Sequence, residues 1–139
     1  MYRLIEHEAD IGIEGSGKTI EEAFAEAAKA LFAVMVDLKN VRKKKRIRIS
    51  CEANDISALL VEWLNQLISK GDINGMFFSD FKVRIKENKG KYVLSGTAIG
   101  EKINLKKHKI KTEVKAATYA GLKVWHQDNK FHVRCIIDI

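Results

Sequence analysis

The fold is decided most clearly by residues 81–99, which read FKVRIKENKGKYVLSGTAI. Apolar Phe81, Val83 and Ile85 alternate with charged side chains, and this period of two predicts a strand with one buried face. The Asn-Lys-Gly sequence that follows predicts a tight turn, after which residues 92–99 return as a second strand. The stretch therefore predicts an antiparallel hairpin, which needs no crossover helix.

A second hairpin is predicted near the C-terminus. Residues 111–125 and 131–138 flank the turn 127–130, which reads Gln-Asp-Asn-Lys. Within the first strand, residues 113–119 have the Glu, Lys and Ala content of a helix, but their alternation and the following Gly121 favour a strand. The remaining predicted strands are residues 2–7, 11–14 and 45–52.

Two amphipathic helices separate these strands. Thr19 caps the first helix and forms a capping box with Glu22. Asn54 or Asp55 caps the second helix, which is predicted to end at Gly71. Two helices among hairpin-joined strands predict an α+β fold, with both helices packed on a mostly antiparallel sheet, in a single compact domain over residues 1–139.

The N-terminus lacks the apolar core of a signal peptide, and no apolar stretch is long enough to span a bilayer. We therefore expect a cytoplasmic protein with no membrane contact. The chain has two cysteines, Cys51 and Cys135, and they form no CxxC pair. Both lie in predicted strands, so we expect them to be reduced, buried thiols.

The net charge of +7 is unevenly placed. Residues 1–38 hold eight acidic and three basic side chains, so the positive excess lies in the rest of the chain. It is concentrated in residues 39–48 and 102–115. One interpretation is a basic RNA-binding module using Lys39 to Arg48, which predicts salt-dependent RNA affinity. The other is a solvated lysine-rich surface, because no aromatic side chains interleave the run.

Residues 12–19, GIEGSGKT, match the phosphate-binding pattern GxxxxGK[ST] between a strand and a helix. They predict a small nucleotide-binding protein if the loop cradles phosphates. Three points favour a plain turn instead. Phosphate-binding loops of this kind belong to parallel sheets, and the chain has too few helices to connect one. The carboxylate of Glu14 would lie inside a loop that must bind phosphate, and Thr19 already has a role as a helix cap. The nucleotide-binding alternative predicts tight GTP or ATP binding that is lost in K18A.

Two acidic residues lie at the ends of apolar strands. Asp10 directly precedes the second predicted strand, and Asp138 ends the last one, one residue before Ile139 and its α-carboxylate. Carboxylate oxygens at a strand end suit a hard cation such as Ca²⁺ or Mg²⁺. Solvated acids at two separate strand ends are the alternative. His7 is the only histidine beside acids and is a candidate to orient Asp10 through a hydrogen bond. An ordinary histidine at a strand end is the alternative.

Lys115 lies in an apolar-rich segment of the predicted strand 111–125. A lysine in such a place often meets a carboxylate or a phosphate. The alternative is an edge-strand lysine that discourages aggregation.

Five segments together resemble the archease family. Residues 7–12, HEADIG, resemble its H-T-A-D-I/V motif, and residues 18–32 are similar to its first helix. Residues 59–67, LLVEWLNQL, are similar to its L-L-x-x-W-L-N-x-L helix. Residues 113–119, EVKAATY, match its E-[IV]-K-A-x-T-Y strand, and residues 137–139 match its acidic chain end. The resemblance covers essentially the whole chain, in the same order.

The resemblance implies a non-catalytic accessory protein of the RtcB-type RNA ligase that joins tRNA halves. It would promote guanylylation and multiple turnover of that ligase and broaden its nucleotide use. RNA and GTP would be met only through the ligase. A divalent cation, Ca²⁺ before Mg²⁺ or Mn²⁺, would be held by Asp10, Asp138 and Ile139. The family's functional lysine corresponds to Lys115, and a single charged patch is expected.

The sequence departs from the family pattern at two positions. Glu8 stands where the family usually has Thr, which adds a negative charge beside Asp10. Ala120 replaces the His that commonly follows the Thr-Tyr pair. Neither change removes a residue of the expected patch. His7, Glu8 and Glu113 are the candidates to support the metal ligands from a second layer.

Overall fold

The structure, a computed structural model, describes residues 1–6 and 10–139. Over these residues the chain forms two helices, seven strands and one 3₁₀ turn. In chain order they are β1 (Tyr2–Glu6), β2 (Asp10–Gly17), α1 (Ile20–Met35), the 3₁₀ turn (Leu38–Asn40), β3 (Lys45–Ala53), α2 (Ile56–Asn74), β4 (Met76–Asn88), β5 (Lys91–Lys102), β6 (Ala116–Gln127) and β7 (Lys130–Asp138). The predicted α+β fold is confirmed.

The strands divide into two antiparallel sheets rather than one, with the orders β1-β2-β7-β6 and β3-β5-β4. Helix α1 packs on β2 and on β4, and α2 packs on β3 and on β6, so each helix contacts both sheets. The core fills this space, and Phe24, Trp63 and Phe78 are completely buried in it. We call the other side of the four-stranded sheet its outer face. No helix of the described residues covers it.

Both predicted hairpin turns are confirmed. Lys89 and Gly90 join β4 to β5 with φ angles of 52° and 80°, and Asp128 and Asn129 join β6 to β7 with φ angles of 54° and 60°. Two successive left-handed residues form the tight turn whose twist matches paired antiparallel strands. Asn, Asp and Gly tolerate this conformation, which explains why the sequence signal was clear.

The segment 12–19 does not form a phosphate-binding loop. Residues 12–17 belong to β2, where residues 12–15 pair with β1 and residues 12–17 pair with β7, so their backbone groups serve the sheet. Thr19 caps α1, where its Oγ accepts a hydrogen bond of 3.1 Å from the N–H of Glu22. A Cβ at Gly15 would overlap the backbone of Ala23 and Ala27. The glycine is needed because α1 lies directly on β2.

The predicted end of α2 at Gly71 is wrong. The helix continues to Asn74 and is closed by Gly75, whose φ of 60° is left-handed. Gly71 lies inside the helix and is buried, and a Cβ there would come within 3.1 Å of the Met76 carbonyl oxygen. The glycine therefore marks close packing against β4 rather than a helix end.

The predicted strand 111–125 is also wrong at its start, because β6 begins at Ala116. Ala116 lies opposite Asp138, the last residue of β7, so the preceding residues lie beyond the ladder. They belong to an irregular segment, residues 103–115, which is tied to α1 by a hydrogen bond of 2.8 Å from the N–H of Lys111 to the Met35 carbonyl. Gly121, with φ of 62°, interrupts the β6–β7 register.

Both cysteines are free thiols, Cys135 buried and Cys51 half-buried. Burial raises the pKa of each thiol to about 11. Neither is therefore a ready nucleophile near neutral pH. Among the described residues, no helix is long and apolar enough to cross a membrane.

Candidate metal and phosphate site at the end of the four-stranded sheet

Asp10 and Asp138 face each other across the ladder of β2 and β7. They are direct register partners, and the pairs that follow are Ile11 with Ile137 and Gly12 with Ile136. Side chains alternate along a strand and Ile137 is completely buried, so both acids lie on the outer face. Directly opposite residues place their Cβ atoms about 5 Å apart. Two carboxylates on directly opposite residues repel each other unless a cation lies between them.

Asp10 carries an unsatisfied oxygen. Its Oδ1 is buried and has no hydrogen-bond partner among the described residues. Asp138 is exposed. A buried acceptor without a partner costs about 1–3 kcal/mol, so this oxygen is a candidate ligand for a cation. A hard cation between the two carboxylates would meet the oxygen chemistry that it prefers.

Lys115 lies at the same end of the sheet. Its backbone N–H donates a hydrogen bond of 2.9 Å to the Asp138 carbonyl, and its side chain is exposed. The structure therefore brings Asp10, Asp138 and Lys115 together, although they are far apart in sequence. Ile139 follows directly, and its side chain packs half-buried against the core, which holds this end of the chain in place.

Of the three residues predicted to support the metal ligands, the structure describes Glu113. His7 and Glu8 lie outside the described residues. Glu113 is exposed and lines a cavity of about 280 Å³ between the irregular segment and the two helices, together with Asp72. Among residues 1–6 and 10–139, no group of three or more His, Cys, Asp or Glu side chains could hold a metal. A cation at the acid pair would therefore need other oxygens, such as an α-carboxylate, backbone carbonyls or water.

A buried network around Glu101 was not anticipated from the sequence. Glu101 is 6 % exposed and accepts hydrogen bonds from the Arg42 N–H at 2.8 Å and from the Lys107 Nζ at 2.6 Å. These two bonds, with a contribution from His108, hold the pKa of the Glu101 carboxyl at about 2, although burial opposes them. The network connects the end of β5 to residues 42 and 107–108, and so it fixes the irregular segment.

His108 completes this network and is 1 % exposed. Its Nδ1 accepts a hydrogen bond of 3.0 Å from the Asn104 N–H, which places the ring proton on Nε2. Nε2 lies 3.0 Å from Glu101 Oε2 and 3.0 Å from the Asn40 carbonyl. Every ring nitrogen has a partner within the protein. The role of His108 is therefore to anchor the irregular segment to the sheet.

The positive charge of residues 39–48 is partly neutralised by acidic residues of the three-stranded sheet. Lys43 Nζ lies 3.7 Å from Asp80, and Lys44 Nζ lies 3.7 Å from Glu101. From residue 45 the run becomes β3, with Ile47 and Ile49 turned towards the core. No aromatic side chain stands within it, as the sequence indicated.

The fold and the site define a small α+β protein with a paired-acid and lysine patch at one end of an antiparallel sheet. The sequence profile of the archease protein family (MTH1598/TM1083) matches residues 2–139. Since this match spans almost the whole chain, the chain belongs to the archease family.

Individual relatives agree with this assignment. The chain is 45 % identical over 135 residues to Protein archease of Pyrococcus furiosus, an alignment that covers 96 % of this chain and 95 % of that one. Its fold is similar to the solution structure of protein 1598 of Methanobacterium thermoautotrophicum, with a TM-score of 0.88, 34 % identity and coverage of 99 % and 98 %. It also resembles in fold the crystal structure of an archease, possible chaperone, of Thermotoga maritima, with a TM-score of 0.58, 22 % identity and coverage of 100 % and 98 %.

Proposed function

We propose that this archease is a non-catalytic accessory protein that activates an RtcB-type RNA ligase in tRNA splicing. It would promote guanylylation of the ligase, allow repeated turnover and broaden the range of nucleotides used. Family membership supports an accessory role, and the relative from Thermotoga maritima is described as a possible chaperone. The observation that carries the proposal is the acid pair Asp10 and Asp138 beside Lys115.

The acid pair would hold a divalent cation, with the α-carboxylate of Ile139 as the third protein ligand. Ca²⁺ is the first candidate, because it accepts carboxylate, backbone and water oxygens in a flexible shell, and Mg²⁺ and Mn²⁺ are the alternatives. The Oδ1 of Asp10, which is buried and has no partner among residues 1–6 and 10–139, supports this assignment. When bound, the cation would neutralise the two carboxylates and offer a contact to phosphate oxygens.

Lys115 would contribute the phosphate contact from the protein itself. Its ammonium is exposed, and its backbone is fixed by the hydrogen bond to Asp138. A lysine is a compact point charge that suits a phosphate approached from solvent. The patch would therefore present positive and negative groups side by side to the nucleotide and metal site of the ligase. RNA and GTP would reach this patch through the ligase, and we place the protein in the cytoplasm.

The test is RNA ligation with substrate in excess over the RtcB-type ligase of the same organism. Wild-type protein should raise the number of turnovers per ligase, whereas D10N and K115A should return it to the level seen without the protein. D128N and K86A are matched controls, because each makes the same charge change at an exposed residue away from the patch. If D10N and D138N both keep full stimulation, the proposal fails.

A further inference from the structure

A cluster of aromatic and basic side chains lies on the outer face of the four-stranded sheet. The rings of Trp125 and His132 stack across β6 and β7, with centroids 5.1 Å apart and an angle of 10° between them. Lys123 Nζ lies 4.8 Å from the Trp125 ring centroid, and the Arg134 guanidinium carbon lies 5.5 Å from it. We call these four residues the Trp125 cluster. It joins π faces and cations in one place, as binding sites for single-stranded nucleic acid do.

The cluster borders an open depression of about 480 Å³ that reaches Arg3 on β1. The negative side chain in its lining is Glu14, and this carboxylate is already held by two arginines. Its Oε1 accepts from Arg134 Nη2 at 2.6 Å, and its Oε2 accepts from Arg3 Nε at 2.6 Å. Three cationic side chains and one paired carboxylate leave the depression with an excess of positive charge. Its volume is within the range of small-ligand sites.

We propose that the outer face of the four-stranded sheet binds single-stranded RNA. A base would add to the Trp125–His132 stack, and Lys123, Arg134 and Arg3 would contact the adjoining phosphates. Lys123 is exposed, and a lysine ammonium is carried on a flexible four-carbon stem, so it can leave the ring for a phosphate. An antiparallel sheet with helices behind it and stacked aromatics in front is one of the standard solutions for reading unpaired bases.

This proposal is independent of the ligase activation proposed above, because it needs this chain alone. It also differs from RNA binding by residues 39–48, which lack aromatic side chains. Along β7, His132 and Asp138 lie on the same face and are six residues apart, which is about 20 Å in a strand. A strand of RNA on the Trp125 cluster would thus share a face with the acid pair.

The two tryptophans of the chain make a direct test possible. Trp63 is completely buried, whereas Trp125 is half-buried and on the outer face. Stacked bases should therefore quench only the emission of Trp125. Titration of the full chain, without ligase, with a 12-residue oligouridylate should give saturable quenching, while W125F, titrated in the same way, should show none. UMP and inorganic polyphosphate are the comparison ligands.

Fluorescence anisotropy of labelled oligouridylate then gives the affinities of the variants. W125L should bind about 10-fold more weakly and W125F should fall between it and wild type, because the stacking surface shrinks in that order. K123Q should weaken binding and lower the salt slope by about one, and K86Q, the matched control on β4, should do neither. Circular dichroism checks that each variant is folded.

Several results would overturn the proposal. The proposal fails if the oligonucleotide shows no saturable binding, or if polyphosphate binds as tightly as RNA. It also fails if UMP binds as tightly as the oligomer, or if W125L and W125F bind RNA with the affinity of wild type. Loss of ligase stimulation in D10N with RNA binding intact would leave this proposal standing. RNA binding lost in W125L with ligase stimulation intact would leave the proposed function standing. The two proposals therefore fail separately.

Discussion

Asp138 lies directly opposite Asp10 in the β2–β7 ladder, and the Oδ1 of Asp10 is buried without a partner among the described residues. We therefore expect D138N to raise the stability of the fold without metal and to lower it, relative to wild type, with metal. In EDTA, D138N should be more stable than wild type by about 0.5 kcal/mol, because like charges directly opposite destabilise a sheet. With Ca²⁺ at about 100 times its Kd, wild type should gain about 2.7 kcal/mol and D138N should gain nothing.

Thermal unfolding with EDTA and with CaCl2 measures both effects. D128N, in the turn at the other end of β7, is the control, since it removes one exposed carboxylate without touching the acid pair. Equal Ca²⁺ gains in wild type and D138N would show that the acid pair does not hold the ion.

The nucleotide-binding alternative leads to a prediction about Lys18. Residues 12–17 are committed to β-sheet hydrogen bonds, and Thr19 is committed to capping α1, so we expect no tight binding of GTP or ATP to the chain alone. K18A should stimulate ligation as wild type does. Isothermal titration with each nucleotide checks the first statement. Micromolar GTP affinity that disappears in K18A would contradict it.

The Glu101 network leads to a prediction about pH. Because the pKa of Glu101 is held at about 2 against an ordinary 4.5, its ionised form stabilises the fold fully above about pH 4.5. That stabilisation is lost as the pH falls from about 4.5 to 2. E101Q should lower the Tm at pH 7 by about 5 °C, because a buried charged acceptor is replaced by a neutral one.

The difference between wild type and E101Q should shrink at pH 3 and should be smallest near pH 2. The other carboxylates titrate in both proteins and cancel in the comparison. Tm measured by circular dichroism from pH 2 to pH 7 gives the result. A difference that is constant across this range would show that the Glu101 carboxyl is not the titrating group.

The contact between α1 and β2 depends on Gly15. A Cβ at this position would overlap the backbone of Ala23 and Ala27, and helix backbone cannot rotate away as a side chain can. G15A should therefore lower the free energy of unfolding by about 3 kcal/mol. Urea unfolding measures it. A loss below about 0.5 kcal/mol would mean that α1 moves aside without cost, and that Gly15 does not set the helix position.

The sequence predicts the parts of this fold that depend on local chemistry. Hairpin turns at residues 89–90 and 128–129 are visible because left-handed positions restrict the choice of residue. The turn at 128–129 also sets the register that places Trp125 opposite His132, so the Trp125 cluster could have been found by counting outward from it. The two acids at strand ends and Lys115 were likewise visible in the sequence.

The remaining features depend on contacts between distant segments. Gly71 and Gly75 look alike in sequence, and only the packing of α2 on β4 shows which of them ends the helix. Glu101 and His108 stand among lysines, and their burial follows from the path of the irregular segment. The pairing of Asp10 with Asp138 requires β7 to lie beside β2, which the order of strands along the chain does not determine.

The position of Ile139 beside the acid pair has a practical consequence for recombinant work. An affinity tag fused after Ile139 would begin at the proposed metal site, and a polyhistidine tag would bring competing ligands of its own. A label would be better attached at the Lys89–Gly90 turn, which is exposed and lies in the three-stranded sheet, away from the acid pair and from the Trp125 cluster. A biotin or fluorophore placed there would leave the acid pair unaltered.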